Sequence, residues 1–374
     1  MKRNDLFAGL LTAVLTLGAT GCSNDEPDNP TPLPTPNSAS SVYFLNQGQL
    51  ALNVEGSLNI LDYKNMTVEN NVFQKANHRS LGNTPQCGVR YGNKIYIGTY
   101  ESNTIEILDA RSFTSIKQLR LDAATTGTSP RCMVTDKNKI YITMFDGYVA
   151  RLDTLSLEID GRVKVGPNPE KPAIMNNRLY VPNSDGMNWA VGYGETASII
   201  DLSSFTVKAT VKVPLNPDRF MAVGSKLFLL SKGDYYDIKG AVYEIDPNID
   251  ELQKEDPDSG YTYLFRATDA ASGMNNIVYY NVPFNKPDRE YGRYNVATEV
   301  RTTWTPKEVI YPNAIAIDPL YGYIFIASYV MDGVYPSYTA PGFVTVYDND
   351  LKFIKQGEIG AGPTCIFFDN KVYR

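Results

Sequence analysis

A repeat limits what this chain can fold into more than any other feature. Short β-prone runs ending in Asp recur at Leu61-Asp62, Leu108-Asp109, Leu152-Asp153, Ile200-Asp201, Ile245-Asp246 and Tyr347-Asp348. Neighbouring copies lie 44 to 48 residues apart. The last gap is about twice that, so one copy near Asn295 to Val300 has lost its signature. Pro85 to Leu121 displays a whole unit. Four runs rich in Val, Ile, Tyr and Thr are separated there by Gly92-Asn93, Glu101-Ser102-Asn103 and Ala110 to Phe113. Such a four-stranded meander has two edges and two apolar faces, and is stable only against copies of itself. A period of this length with four strands per copy defines the blade of a β-propeller.

A second marker sets the register. Pro precedes the first strand, and a Lys or Arg opens the second strand nine residues later, at Pro85 and Lys94, Pro130 and Lys139, Pro169 and Arg178, and Pro217 and Lys226. The spacing is two residues longer after Pro312 and one shorter from Pro363 to Lys371. The expected fold is therefore all-β, a seven-bladed propeller of four-stranded antiparallel blades. Its ring closes through one shared blade, because Pro363 to Arg374 repeats the first strand while Ser41 to Asn46 repeats the second.

Three segments follow along the chain. Residues 1–21 read as a lipoprotein signal peptide: Lys2 and Arg3 precede an apolar run from Leu6 to Leu17, too short to span a membrane, and small residues lead to Cys22. Residues 22–39 read as an acylated Cys22 followed by an acidic, Pro-rich tether that stays extended. Residues 40–374 hold the propeller, with no linker to divide them.

The same reading narrows the chemistry. His78 is the only histidine, which removes the usual carriers of Ser-His-Asp catalysis and of histidine-rich zinc sites. Cys87, Cys132 and Cys365 each fall two residues after a blade Pro, on separate inner strands, where small apolar residues suit a crowded centre better than a metal does. No catalytic, metal or cofactor site is assigned. The recurring Asp residues are expected to cap turns. A formal charge of -6 argues against nucleic acid and points to a neutral or cationic ligand.

Loops joining the second strand to the third share a face with the loops that enter the first. Length varies there: blade four inserts Asn183 to Gly194, blade five Lys232 to Lys239, blade six Pro283 to Tyr294 and blade seven Ser328 to Gly342. Trp189, Tyr193, Tyr235, Tyr236, Tyr291, Tyr294, Tyr335 and Tyr338 give this face an aromatic density suited to binding, with Asp185 among the polar groups that fix orientation. The residue after each blade Pro adds a polar ring at the channel mouth: Gln86, Arg131, Glu170, Asp218, Asn313 and Thr364.

The repeat P-x-x-x-V, NKIYI, I-x-ILD resembles the YncE-like seven-bladed propellers. The segments VYFLNQG from Val42, LNILDYKNMTVENNVFQKAN from Leu58 and TSPRCM from Thr128 are similar to surface lipoproteins of Bacteroidetes that include the BtuG-type cobamide-binding proteins. That resemblance implies a non-catalytic lipoprotein, anchored by Cys22 in the outer membrane and exposed at the cell surface. It would capture a small-molecule nutrient, with a cobamide (vitamin B12) the most concrete candidate, and pass it to a TonB-dependent transporter. Arg131 is the mouth residue carried over from it. Two other classes fit the fold: a glycan-active hydrolase or lyase, which needs paired carboxylates in the mouth, and a protein-interaction or surface-layer propeller with a flat aromatic face.

Overall fold

A computed structural model describes residues 41–281 and 289–369. The signal segment, Cys22 and the tether lie outside them, as do Lys371 and the first part of the blade-six insertion. The described chain forms seven four-stranded antiparallel sheets, one per blade. Blade two shows the pattern, with Pro85–Tyr91 innermost, then Lys94–Thr99, Thr104–Asp109 and Ser115–Arg120 outermost. In blade one the strand order is Thr67–Glu69, Ser57–Asp62, Ser41–Asn46 and, innermost, the C-terminal Pro363–Phe368. The two ends of the chain share one sheet, as the repeat predicts.

The core is divided the way the blades are. Seven apolar clusters fill the seven interfaces between neighbouring blades. Each strand buries alternate side chains toward opposite neighbours, so every blade is half of two cores.

The two sequence markers turn out to be one rung of the ladder. Lys94 stands opposite Asp109, Lys139 opposite Asp153, and Arg178 opposite Asp201. The Asp carboxylates also hold the turns that follow, as expected. Asp109 Oδ1 accepts from the amides of Arg111 and Ser112, and Asp153 Oδ1 from those of Leu155 and Ser156. In blade six Asn295 Oδ1 does the same for Ala297 and Thr298, so the copy that lost its signature kept its turn with an amide.

One reading needs correction. Tyr291 and Tyr294 are not loop residues; they lie on the strand Glu290–Asn295. Tyr291 packs into the interface between blades six and seven and Tyr294 into that between blades five and six, both buried. The missing Asp marker hid where the insertion stops and the third strand starts.

Candidate functional site

The channel mouth is built by a repeated irregularity. In each of five inner strands the pairing register shifts at the residue after Pro, leaving Gln86, Arg131, Asp218, Asn313 and Thr364 without an opposite partner. Proline supplies no amide hydrogen to the ladder, and a bulge at that point re-aims the extra side chain. Glu170 reaches the same ring differently. Pro172 delays the blade-four inner strand to Ala173–Met175, and the backbone of Lys171 instead pairs with the inner strand of blade five. Its amide donates to Asp218 O at 3.0 Å and its carbonyl accepts from Phe220 N at 2.9 Å.

These backbones bring a charged network together. Arg131 donates from Nη1 to Gln86 Oε1 at 2.5 Å and from Nε to Glu170 Oε2 at 2.7 Å. Lys171 Nζ lies 3.1 Å from Asp218 Oδ2, and Arg219 Nη2 lies 3.5 Å from Asp269 Oδ1. Arg219 Nη1 also donates to Ala270 O at 2.5 Å, and Lys232 Nζ to Thr268 O at 2.7 Å. Burial alone would raise the Asp218 carboxyl, but Lys171, Lys232, Arg219 and Arg131 around it hold it far below the usual carboxylate range. The other side of the ring is neutral. Asn313 Nδ2 donates to Pro363 O at 2.6 Å, and Thr364 Oγ1 to Pro85 O at 3.0 Å.

Of the mouth residues expected from the sequence, Gln86, Arg131, Glu170 and Asp218 join this network. Lys171, Arg219, Lys232 and Asp269 were missed. A signal for two of them exists, since Lys171 and Arg219 occupy in blades four and five the position that Cys365, Cys87 and Cys132 occupy in blades one to three. The Cys87 thiol is pushed up by burial and by the neighbouring Cys132 and Cys365.

Above the charged side stand the insertions of blades four and five. The register that sets Pro217 opposite Ser231 places the blade-five insertion at the mouth end of its sheet. Gly233 opens it at φ +63, where a Cβ would stand 1.9 Å from Ile238 O, so only glycine fits. Asp234 Oδ1 accepts from the amides of Tyr236 and Ile238 at 2.8 Å each, which clamps the loop and presents Tyr235 and Tyr236. Tyr235 meets Tyr193 of blade four edge to face at 5.9 Å. Asp185 Oδ2 accepts from the side chain of Asn188, fixing the turn that carries Trp189. Trp189 is 69% exposed and Tyr236 80%. On blade seven Tyr335 lies in a small hairpin, and Tyr338 packs edge to face on Tyr329 at 5.3 Å.

The seven blades define a β-propeller, and comparison with known proteins supports that fold. The chain belongs to the DUF5074 family, described as a domain of unknown function, whose model matches residues 41–349. No curated protein matches the chain. Among solved structures it is similar to a protein from Lactobacillus plantarum, at 13% identity and a TM-score of 0.59, covering 88% of this chain and 99% of that one. It is also similar to hydrazine synthase of Kuenenia stuttgartiensis, at 15% identity and a TM-score of 0.56, covering 75% and 88%. A third is dihydro-heme d1 dehydrogenase NirN in complex with DHE, at 14% identity and a TM-score of 0.52, covering 84% and 65%. At such identities the likeness speaks for the fold alone.

Proposed function

We propose that this chain is a non-catalytic binding protein of the cell surface, lipid-anchored in the outer membrane through Cys22, that captures a bulky nutrient on its insertion face. The observation that carries the reading is the group of aromatic side chains held out to solvent on blades four and five. Asp234, Asp185 and Gly233 are spent on fixing those loops, and rigid, exposed rings make contact area at small entropic cost. The enclosed Asp218 supports binding over catalysis. A general acid needs a carboxyl held up, whereas Asp218 is held down by its cationic neighbours.

A cobamide is the ligand favoured by the resemblance to the YncE-like and BtuG-type propellers, and a TonB-dependent transporter the partner that would receive it. Calorimetric titration of the purified protein with cyanocobalamin tests this, with Trp189→Ala and Tyr236→Ala alongside. Each substitution is expected to weaken binding about tenfold or more, the usual cost of truncating an aromatic anchor. Absence of binding by the parent protein sinks the cobamide reading. Unaltered affinity in both variants removes the site from this face.

A further inference from the structure

The mouth network is not balanced. Arg131, Lys171, Arg219 and Lys232 face the carboxylates of Glu170, Asp218 and Asp269, four cations against three anions. Three ion pairs, Arg131 to Glu170, Lys171 to Asp218 and Arg219 to Asp269, consume all three carboxylates. Lys232 is left over. Its Nζ bonds the carbonyl of Thr268, and no carboxylate of the described residues lies within ion-pair distance of it. Arg219 adds an unfilled donor, because its Nε is buried without an acceptor among the described residues. Its pairing with Asp269 is also the longest of the three, at 3.5 Å. A buried donor without a partner and a half-buried surplus cation both cost free energy that an anion would recover.

The two groups lie close together. Arg219 and Lys232 sit on adjacent strands of blade five, where Pro217 pairs with Ser231 and Arg219 with Leu230. Lys232 is also the last charged residue before the loop that carries Tyr235 and Tyr236.

We infer that Lys232 and Arg219 form a seat for one carboxylate of the ligand, so that the captured molecule carries a mono-anionic head in the channel mouth and an aromatic or apolar body against the blade-four and blade-five loops. The excess of one positive charge matches a carboxylate, whereas a doubly charged phosphate would leave the mouth negative. The local sign is opposite to that of the whole chain, whose charge of -6 pointed to neutral or cationic ligands. Enclosed charges set the field at the seat, and distant surface charges are screened. The inference rests on the insertion face being the binding face, but does not depend on the ligand being a cobamide.

Two probes that share a ring and differ only in head-group charge test it: indole-3-acetate and indole-3-acetamide, titrated into the purified protein by calorimetry at low salt. The acetate is expected to bind about tenfold more tightly, the worth of a hydrogen-bonded charge pair. Arg219→Gln and Lys232→Gln are each expected to abolish that preference, weakening the acetate by more than the acetamide. Arg219 also ties down Ala270, so Lys232→Gln, which removes a side-chain hydrogen bond to a single carbonyl, is the variant that keeps the test open should the first not fold. Equal affinity for the two probes, binding of neither, or a preference that survives in Lys232→Gln overturns the seat. Cyanocobalamin titration in parallel separates the two readings. An acetate preference without cyanocobalamin binding removes only the cobamide, and cyanocobalamin binding without an acetate preference removes only the seat.

Discussion

At the scale of single residues the mouth is held by a carboxylate that stays ionised although it is enclosed. Asp218 has a folded pKa far below its ordinary value, so its contribution to stability is present above the ordinary carboxylate pKa of about 4 and is lost as pH falls below it. Asp218→Asn should therefore cost about 3 kcal/mol at pH 7, the lower end for removing one partner of a buried ion pair. The difference from the parent should shrink as pH falls below about 4, where the unfolded chain takes up a proton that the folded Asp218 carboxylate does not. Thermal unfolding at neutral pH and near pH 2 checks this, and a pH-independent difference would show that the carboxylate's charge is not what stabilises the site. The opposite manipulation is informative too. With Lys171→Met and Lys232→Met combined, burial wins over the remaining cations and the Asp218 carboxyl should rise, so the loss of stability that it causes in acid in the parent should shrink or reverse. Stability curves against pH for the two proteins would coincide if Lys171 and Lys232 do not control Asp218.

At the scale of strands and turns, the Lys-to-Asp rung at the far end of blade three does two jobs. In blade three Lys139 Nζ bridges Asp153 at 2.8 Å and Asp160 at 2.5 Å, while Asp153 also holds the following turn. The Lys139 ammonium and the turn amides keep the Asp153 carboxyl well below the usual range. Its stabilisation is thus present above the ordinary carboxylate pKa and fades as pH falls through that region and below. Asp153→Ala should cost about 1 to 2 kcal/mol at neutral pH, as expected for hydrogen bonds to a partly exposed charged group, and Asp153→Asn less, since Asn295 shows that an amide can hold the same turn in blade six. Denaturant unfolding of both variants measures the ordering. An equal loss would mean that the ion pair with Lys139, not the turn, is what matters. This rung also explains why the fold could be read from the sequence. Strand type and period are written in side chains that repeat, and Lys94 with Asp109 or Lys139 with Asp153 mark the same position twice. The binding face is not repetitive, and was legible only in part. The polar residue after each Pro was visible, but the bulge that turns it into the channel was not. Lys232 belongs to a strand ending that resembles any other until its neighbours across the sheet are known. Tyr291 and Tyr294 were misplaced because one turn used Asn in place of Asp.

At the scale of the whole ring, every blade depends on both neighbours, and the shared blade decides whether there is a ring at all. Seven inter-blade clusters of similar make-up mean that none can be opened without exposing two apolar faces. Among the described residues, the closing strand Pro363–Phe368 is the part of blade one supplied by the C-terminal end. Its Phe367 stacks on Tyr43 at a centroid distance of 4.9 Å and lies in the cluster between blades one and two. Just beyond the strand, Asp369 pairs with Arg90 of blade two and its amide donates to Ser41 O at 3.1 Å. The contacts thus hold the chain's two ends to each other and to the next blade. Phe367→Ala removes a buried ring at this seam and should cost about 3 to 5 kcal/mol. If closure is cooperative, that loss should appear as a lower midpoint of one transition, because blades that cannot bury their faces alone cannot unfold alone. If blade one instead frays first, unfolding of Phe367→Ala should split into two phases, with hydrogen exchange rising in Ser41–Asn46 and Pro363–Phe368 while blades three to five stay protected. Exchange measured across the denaturant transition distinguishes the two. A single transition with uniform protection would establish that the terminal strands lock the ring as one unit.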